Sequence, residues 1–226
     1  MATISIKKAP NYGYLRNCKL LHNLIEDLLH VEETIFIEIL KIIAKCKTQK
    51  EYEEFYIRFL AEHPDQLYNK CLSQLWNIYQ SDYEIGGLRG RFLELLMFYL
   101  LKREYNYVDM RCFLSNGTDT SPKEIDVFGW DEEKKRGEFY ECKVNYKDVK
   151  KKDWVEYLKN LVEVNKIFNY NNKYGFVTLA DDRAFFLYIK EMLKNNYGYS
   201  EALIIGRKWL YPNNFYKRNR LVTDKD

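Results

Sequence analysis

Through the first third of the chain, apolar residues return at every third and fourth position. Leu21, Leu24, Ile25, Leu28 and Leu29 form one helical stripe, and a second run follows from Ile35 to Ile43. Thr48 is placed to cap a third helix carrying Tyr52, Phe55, Tyr56, Phe59 and Leu60. A fourth is expected after His63-Pro64, with Pro64 near its first turn and Leu67, Leu72, Leu75, Trp76 and Tyr79 on its apolar side. No repeat of fixed length is visible, so a solenoid is not expected.

The texture changes at Gly86, Gly87 and Gly90, which open a helix from Leu88 to about Arg103 with an unusually apolar stretch, FLELLMFYLL. A strand is predicted over Tyr107–Leu114, then a polar loop over 115–123. The segment EIDVFGW reads as a short strand of alternating character, DEEKKRG as a hairpin turn and EFYECKV as the return strand. An amphipathic helix (Lys151–Phe168), an Asn-rich loop (169–173), the strand YGFVTLA, a helix (Asp182–Lys194) and the strand EALIIG complete the series. This order predicts an α/β core with a mixed central sheet and helices on its faces. The expected organisation is a helical N-terminal region over 1–84, the core over 85–206, and a basic, aromatic tail over 207–226.

Composition narrows the classes. The chain has 226 residues, 46% hydrophobic and 31% charged, which suits a globular protein and excludes wholesale disorder. Aromatic residues make up 16%, mostly tyrosine, and packing is their default role. A net charge of +3 is too small to identify a nucleic-acid partner, so the basic runs matter only if they border a cleft. One run is Lys147, Lys150, Lys151 and Lys152; another is Arg207, Lys208, Lys217, Arg218 and Arg220. Five scattered cysteines give no disulfide framework or zinc site, and His22, His30 and His63 lack ligand spacing. His22 and His30 lie in an apolar helical run and are expected to pack. Without a signal-peptide or membrane-helix pattern, a cytoplasmic setting and no membrane partner are expected. Phosphate-binding loops, dinucleotide fingerprints, zinc-protease motifs and nucleophile elbows are missing.

What remains is acidic. Glu124 and Asp126 stand two apart on one predicted strand, and Glu141 and Lys143 two apart on the next. Alternation sends Glu141 and Lys143 to one side, with Tyr140, Cys142 and Val144 opposite, and the hairpin brings the pairs together. Two carboxylates can hold Mg²⁺ while leaving positions for water and a phosphate oxygen. Lys143 can orient the attacking water or stabilise developing negative charge. A half-exposed strand with cross-strand ion pairs explains any one of these residues equally well. It explains Glu94 poorly, because that carboxylate lies among Phe92, Leu93, Leu95, Leu96, Met97 and Phe98 and needs a partner or a metal. Glu124 reads either as an outer support of the site or as a solvent-facing residue.

Together, Gly90-Arg91-Phe92-Leu93-Glu94 on a helix, Glu124-Ile125-Asp126, and Glu141-Cys142-Lys143 on a hairpin strand resemble the PD-(D/E)XK, or restriction-endonuclease-like, nuclease superfamily. The likeness covers roughly residues 86–206 and departs from the family pattern in lacking a proline beside Asp126, Pro122 lying further back. It implies an αβββαβ core, metal ligation by Asp126 and Glu141, a catalytic role for Lys143, and an auxiliary acid, counted among the metal ligands, at Glu94. The expected activity is Mg²⁺-dependent endonucleolytic hydrolysis (Mn²⁺ substituting), with DNA the expected partner. Arg89, Arg91, Lys147, Lys150 and Lys151 are the candidate nucleic-acid contacts. The alternatives are cleavage of RNA, or a non-cleaving nucleic-acid-binding or protein-interaction module on the same fold. The sequence is also compatible with a homodimer.

Overall fold

The computed structural model describes residues 5–8, 19–59, 66–81, 85–168 and 171–217. The order is β1 (Ser5–Lys8), α1 (Lys19–Leu28), α2 (Glu33–Lys45), α3 (Gln49–Phe59), α4 (Gln66–Tyr79), α5 (Ile85–Lys102), β2 (Tyr107–Ser115), β3 (Ile125–Asp131), β4 (Arg136–Cys142), α6 (Lys151–Ile167), β5 (Asn171–Val177), α7 (Asp182–Leu193), β6 (Leu203–Ile205) and α8 (Pro212–Phe215). The six strands form one sheet in the order β1-β2-β3-β4-β5-β6. The β1–β4 pairings are antiparallel, whereas β4–β5 and β5–β6 are parallel. This is the α/β class with a mixed sheet and a helical N-terminal region that the sequence predicts.

Several sequence signals become specific contacts. The Thr48 hydroxyl accepts from Glu51 N at 3.2 Å, and the Glu51 carboxylate accepts from Thr48 N at 3.0 Å, a reciprocal cap that starts α3. Asp181 Oδ1 accepts from Ala184 N at 3.1 Å and starts α7. Pro64 lies outside the described residues, so the expected start of the fourth helix does too.

Helix α5 has little amphipathic character because it is covered on two sides. It packs against α1 on one side and against β2, β3 and β4 on the other. One hydrophobic cluster consequently runs from Leu24 and Phe36 through Phe92 and Leu96 to Val127 and Tyr140 on the sheet. A second lies beneath α6 and α7, with Trp154, Phe176 and Phe185 at its centre. Each large apolar side chain fully removed from water contributes roughly 1.5–3 kcal/mol. Three tyrosines follow the packing expectation: Tyr52, Tyr68 and Tyr79 are buried, and the Tyr52 and Tyr79 hydroxyls donate to Leu72 O and Cys46 O at 2.6 and 2.7 Å.

The structure corrects three expectations. The N-terminal region is not wholly helical, since β1 pairs antiparallel with β2; four residues, SIKK, are too short for periodicity to register. Strand β3 does not alternate, because Val127 to Asp131 are all buried under layers on both faces. The Asn-rich stretch is not all loop, for β5 begins at Asn171 and pairs in parallel with Arg136 onward. The segment after β6 also folds back: Leu210 and Phe215 are buried, and the Tyr211 ring meets Phe36 at 5.5 Å. No helix among the described residues is long and apolar enough to cross a membrane.

Candidate active site

Asp126 follows the first residue of β3, and Glu141 precedes the last residue of β4. The ladder between these strands stops at Val127–Tyr140, one pair short of them. Between β2 and β3, Met110 pairs with Val127 and Cys112 with Ile125, while the intervening Arg111 and Asp126 are unpaired in the ladder. The sheet therefore opens around Asp126, and its carboxylate fills the gap. Asp126 Oδ2 accepts from Cys142 N at 2.7 Å and from Lys143 Nζ at 3.1 Å. Lys143 Nζ also donates to Glu141 Oε1 and lies over the Tyr157 ring of α6, 4.7 Å from its centroid. The buried Asn160 of α6 anchors the entry to β3 by accepting from Lys123 N at 2.9 Å.

Arg111 marks the opening in the backbone. Its φ is +53°, a left-handed value that costs a non-glycine residue about 1–2 kcal/mol. Met110 joins the first hydrophobic cluster and Cys112 the second, although residues two apart on a regular strand share a face. Val127 and Ile125 divide between the clusters in the same way.

Four carboxylates and three cations meet here. Glu141 is 4% exposed, and burial with the nearby Asp126 carboxylate pushes its carboxyl up to about 8 against the pull of Lys143. Burial alone would lower Lys143, but Asp126 and Glu141 hold its ammonium well above the ordinary range. From α5, Glu94 is raised by burial and by the field of Asp126, while Arg91 pulls it back. Arg91 ion-pairs with Glu94 and is only 2% exposed. Arg111 Nε donates to Glu124 Oε1 at 2.6 Å.

The sequence-predicted residues thus divide. Asp126, Glu141 and Lys143 come into direct contact, and Glu94 lies within their electrostatic reach. Among the described residues no group of three or more acidic, histidine or cysteine side chains is arranged to hold a metal ion. Glu94, expected as a third ligand, ion-pairs with Arg91. Arg89 and Arg91, expected as nucleic-acid contacts, are buried. Arg89 donates to Ile43 O and Ala44 O at 2.7 and 2.6 Å, capping the end of α2. Lys147, Lys150 and Lys151 are exposed beside the start of α6. The sequence reading missed Arg111 and Tyr157. An arginine between two buried apolar residues, Met110 and Cys112, was the available signal for the first; Tyr157 looks like any helix tyrosine.

Known proteins add a likeness of fold. The chain is similar to the crystal structure of protein VC1899 from Vibrio cholerae, with a TM-score of 0.52 and 12% identity over 96% of this chain and 58% of that one. The likeness is one of fold alone. Can2 from Sulfobacillus thermosulfidooxidans, solved in complex with cyclic tetra-adenylate, also aligns, with a TM-score of 0.42 and 12% identity over 82% of this chain and 55% of that one. The chain thus spans little more than half the length of either structure. No family model matches the sequence. No curated protein matches it either.

Proposed function

We propose that the chain is a metal-dependent nuclease that hydrolyses phosphodiester bonds, with DNA as its first-choice substrate. The observation that carries this reading is the Lys143 ammonium bonded to both Asp126 and Glu141 at the opened end of the β3–β4 hairpin. Two carboxylates already clustered around a cation have the hard-oxygen chemistry Mg²⁺ prefers, with water and phosphate completing the shell. Asp126 and Glu141 would hold the ion. Held there, the ion would supply Lewis-acid chemistry, making water more acidic and offsetting negative charge that develops on the phosphoryl oxygens. Lys143, released from one carboxylate, orients the attacking water or stabilises negative charge on the phosphoryl oxygens. A water oxygen bonds to phosphorus as the ester P–O bond breaks; the water gives up one proton to solvent, and the leaving oxygen takes one up from solvent. Glu94 acts as an outer acid through its field at Asp126, and Tyr157 holds Lys143 in place.

The test is incubation of the purified chain with plasmid, linear and single-stranded DNA and with RNA, in Mg²⁺, Mn²⁺ or EDTA. Cleavage that requires metal and disappears in Glu141→Ala and Lys143→Ala is the expected result. Metal-independent cleavage, or full activity of Lys143→Ala, would overturn the mechanism; cleavage confined to RNA would reassign the substrate.

A further inference from the structure

Of the three cations around the opening, two are held inside the protein by their carboxylate partners. Lys143 bridges Asp126 and Glu141, and Arg91 is buried against Glu94. Arg111 differs. Its side chain is 31% exposed, and its hydrogen bond to Glu124 uses Nε alone. Its terminal nitrogens are left out of that bond, on a side chain that water reaches. A guanidinium anchored through one nitrogen, with its outer fork open, suits two oxygens of one phosphate.

Its location is equally specific. Continuing the registers on either side places Arg111 opposite Asp126, and Asp126 opposite Glu141, in one row across three strands. The left-handed backbone of Arg111 reverses the facing of β2 at that row alone. A glycine would take this conformation freely, yet the position holds an arginine.

We propose that Arg111 is a phosphate-binding residue of the nucleic-acid substrate, docked on Glu124 before binding and engaging a backbone phosphate beside the Asp126–Glu141 pair. This rests on the nuclease reading and deepens it by supplying the substrate contact that Arg89 and Arg91 do not make.

Arg111→Gly is the discriminating variant, because glycine accepts the positive φ while the side chain and its guanidinium are removed; Arg111→Lys keeps the charge without the fork. Binding of fluorescent single-stranded and duplex oligonucleotides is measured in Ca²⁺ across a salt series, beside Mg²⁺-dependent cleavage and thermal unfolding. Arg111→Gly should melt no lower than the parent and bind about tenfold or more weakly. Its salt slope on duplex DNA should be shallower by about 0.9, the signature of one lost phosphate contact. Arg111→Lys should recover the slope but only part of the affinity. Parent-like affinity and slope in a folded Arg111→Gly overturn the proposal while leaving cleavage by the parent intact. A parent that binds in an Arg111-dependent way but never cleaves upholds the proposal and removes the nuclease reading. A parent that neither binds nor cleaves overturns both.

Discussion

Replacing Glu141 by glutamine should stabilise the metal-free protein while abolishing cleavage. Glu141 shares the single Lys143 ammonium with Asp126 in a buried setting, leaving two carboxylates on one cation. Its carboxyl is raised from 4.5 to about 8, first by burial and then by Asp126. A carboxyl whose folded pKa exceeds its unfolded one favours folding fully below the unfolded value and loses that contribution as pH rises to the folded value. Stability of the metal-free parent should therefore decline between pH 4.5 and about 8. At about 1.4 kcal/mol per pKa unit, the full shift sets an upper bound of about 5 kcal/mol. Glutamine keeps an oxygen for Lys143 and removes the charge, so after solvent relaxation a gain of about 1–3 kcal/mol at pH 8 is expected. For a chain of this size that is a rise of roughly 2–12 °C in melting temperature. The assay is thermal unfolding of both proteins in EDTA at pH 4.5, 6 and 8, then at pH 8 with Mg²⁺. The difference should vanish at pH 4.5, and Mg²⁺ should raise the parent alone. A variant less stable than the parent at pH 8, or equally shifted at every pH, refutes the reasoning.

Arg89→Ala should cost about 2–4 kcal/mol by leaving two carbonyls at the end of α2 without their donors, with unchanged activity per folded molecule; melting and specific activity on one sample check this. Glu94→Gln, which keeps a hydrogen-bond acceptor for Arg91, should lower cleavage or Mg²⁺ affinity and shift melting by only a few degrees, whereas Arg91→Met should destabilise by about 3–5 kcal/mol by leaving Glu94 buried alone; the two melting curves decide it. Tyr157→Leu removes the ring beneath Lys143 and should lower kcat more than it raises KM, read from steady-state cleavage.

The helices and the hairpin were legible because each leaves a local mark: the three-and-four spacing of Leu21, Leu24, Ile25 and Leu28, or the turn residues between Trp130 and Gly137. Asp126, Glu141 and Lys143 stood out because residues two apart on paired hairpin strands share a face. What escaped depends on distant partners. The pairing of β1 with β2 joins residues more than a hundred positions apart. Arg89 and Arg91 look alike in sequence, yet one meets the end of α2 and the other meets Glu94, and neither partner was assigned by spacing alone. The reversal at Arg111 leaves no compositional trace, since arginine is not a residue that usually marks a left-handed turn.

The two-sided burial of α5 bears on how the protein can be dissected. A fragment starting at residue 85 would keep every residue of the Asp126–Glu141–Lys143 cluster but lose α1, which packs on α5, and the N-terminal part of the cluster that holds Leu88, Phe92 and Leu96. Those side chains would form a sticky stripe along the helix that also carries Arg91 and Glu94. Such a fragment is expected to aggregate, and its inactivity would say nothing about chemistry. Point substitutions in the whole chain are the proper instrument, and the N-terminal helices belong to the foundation of the site.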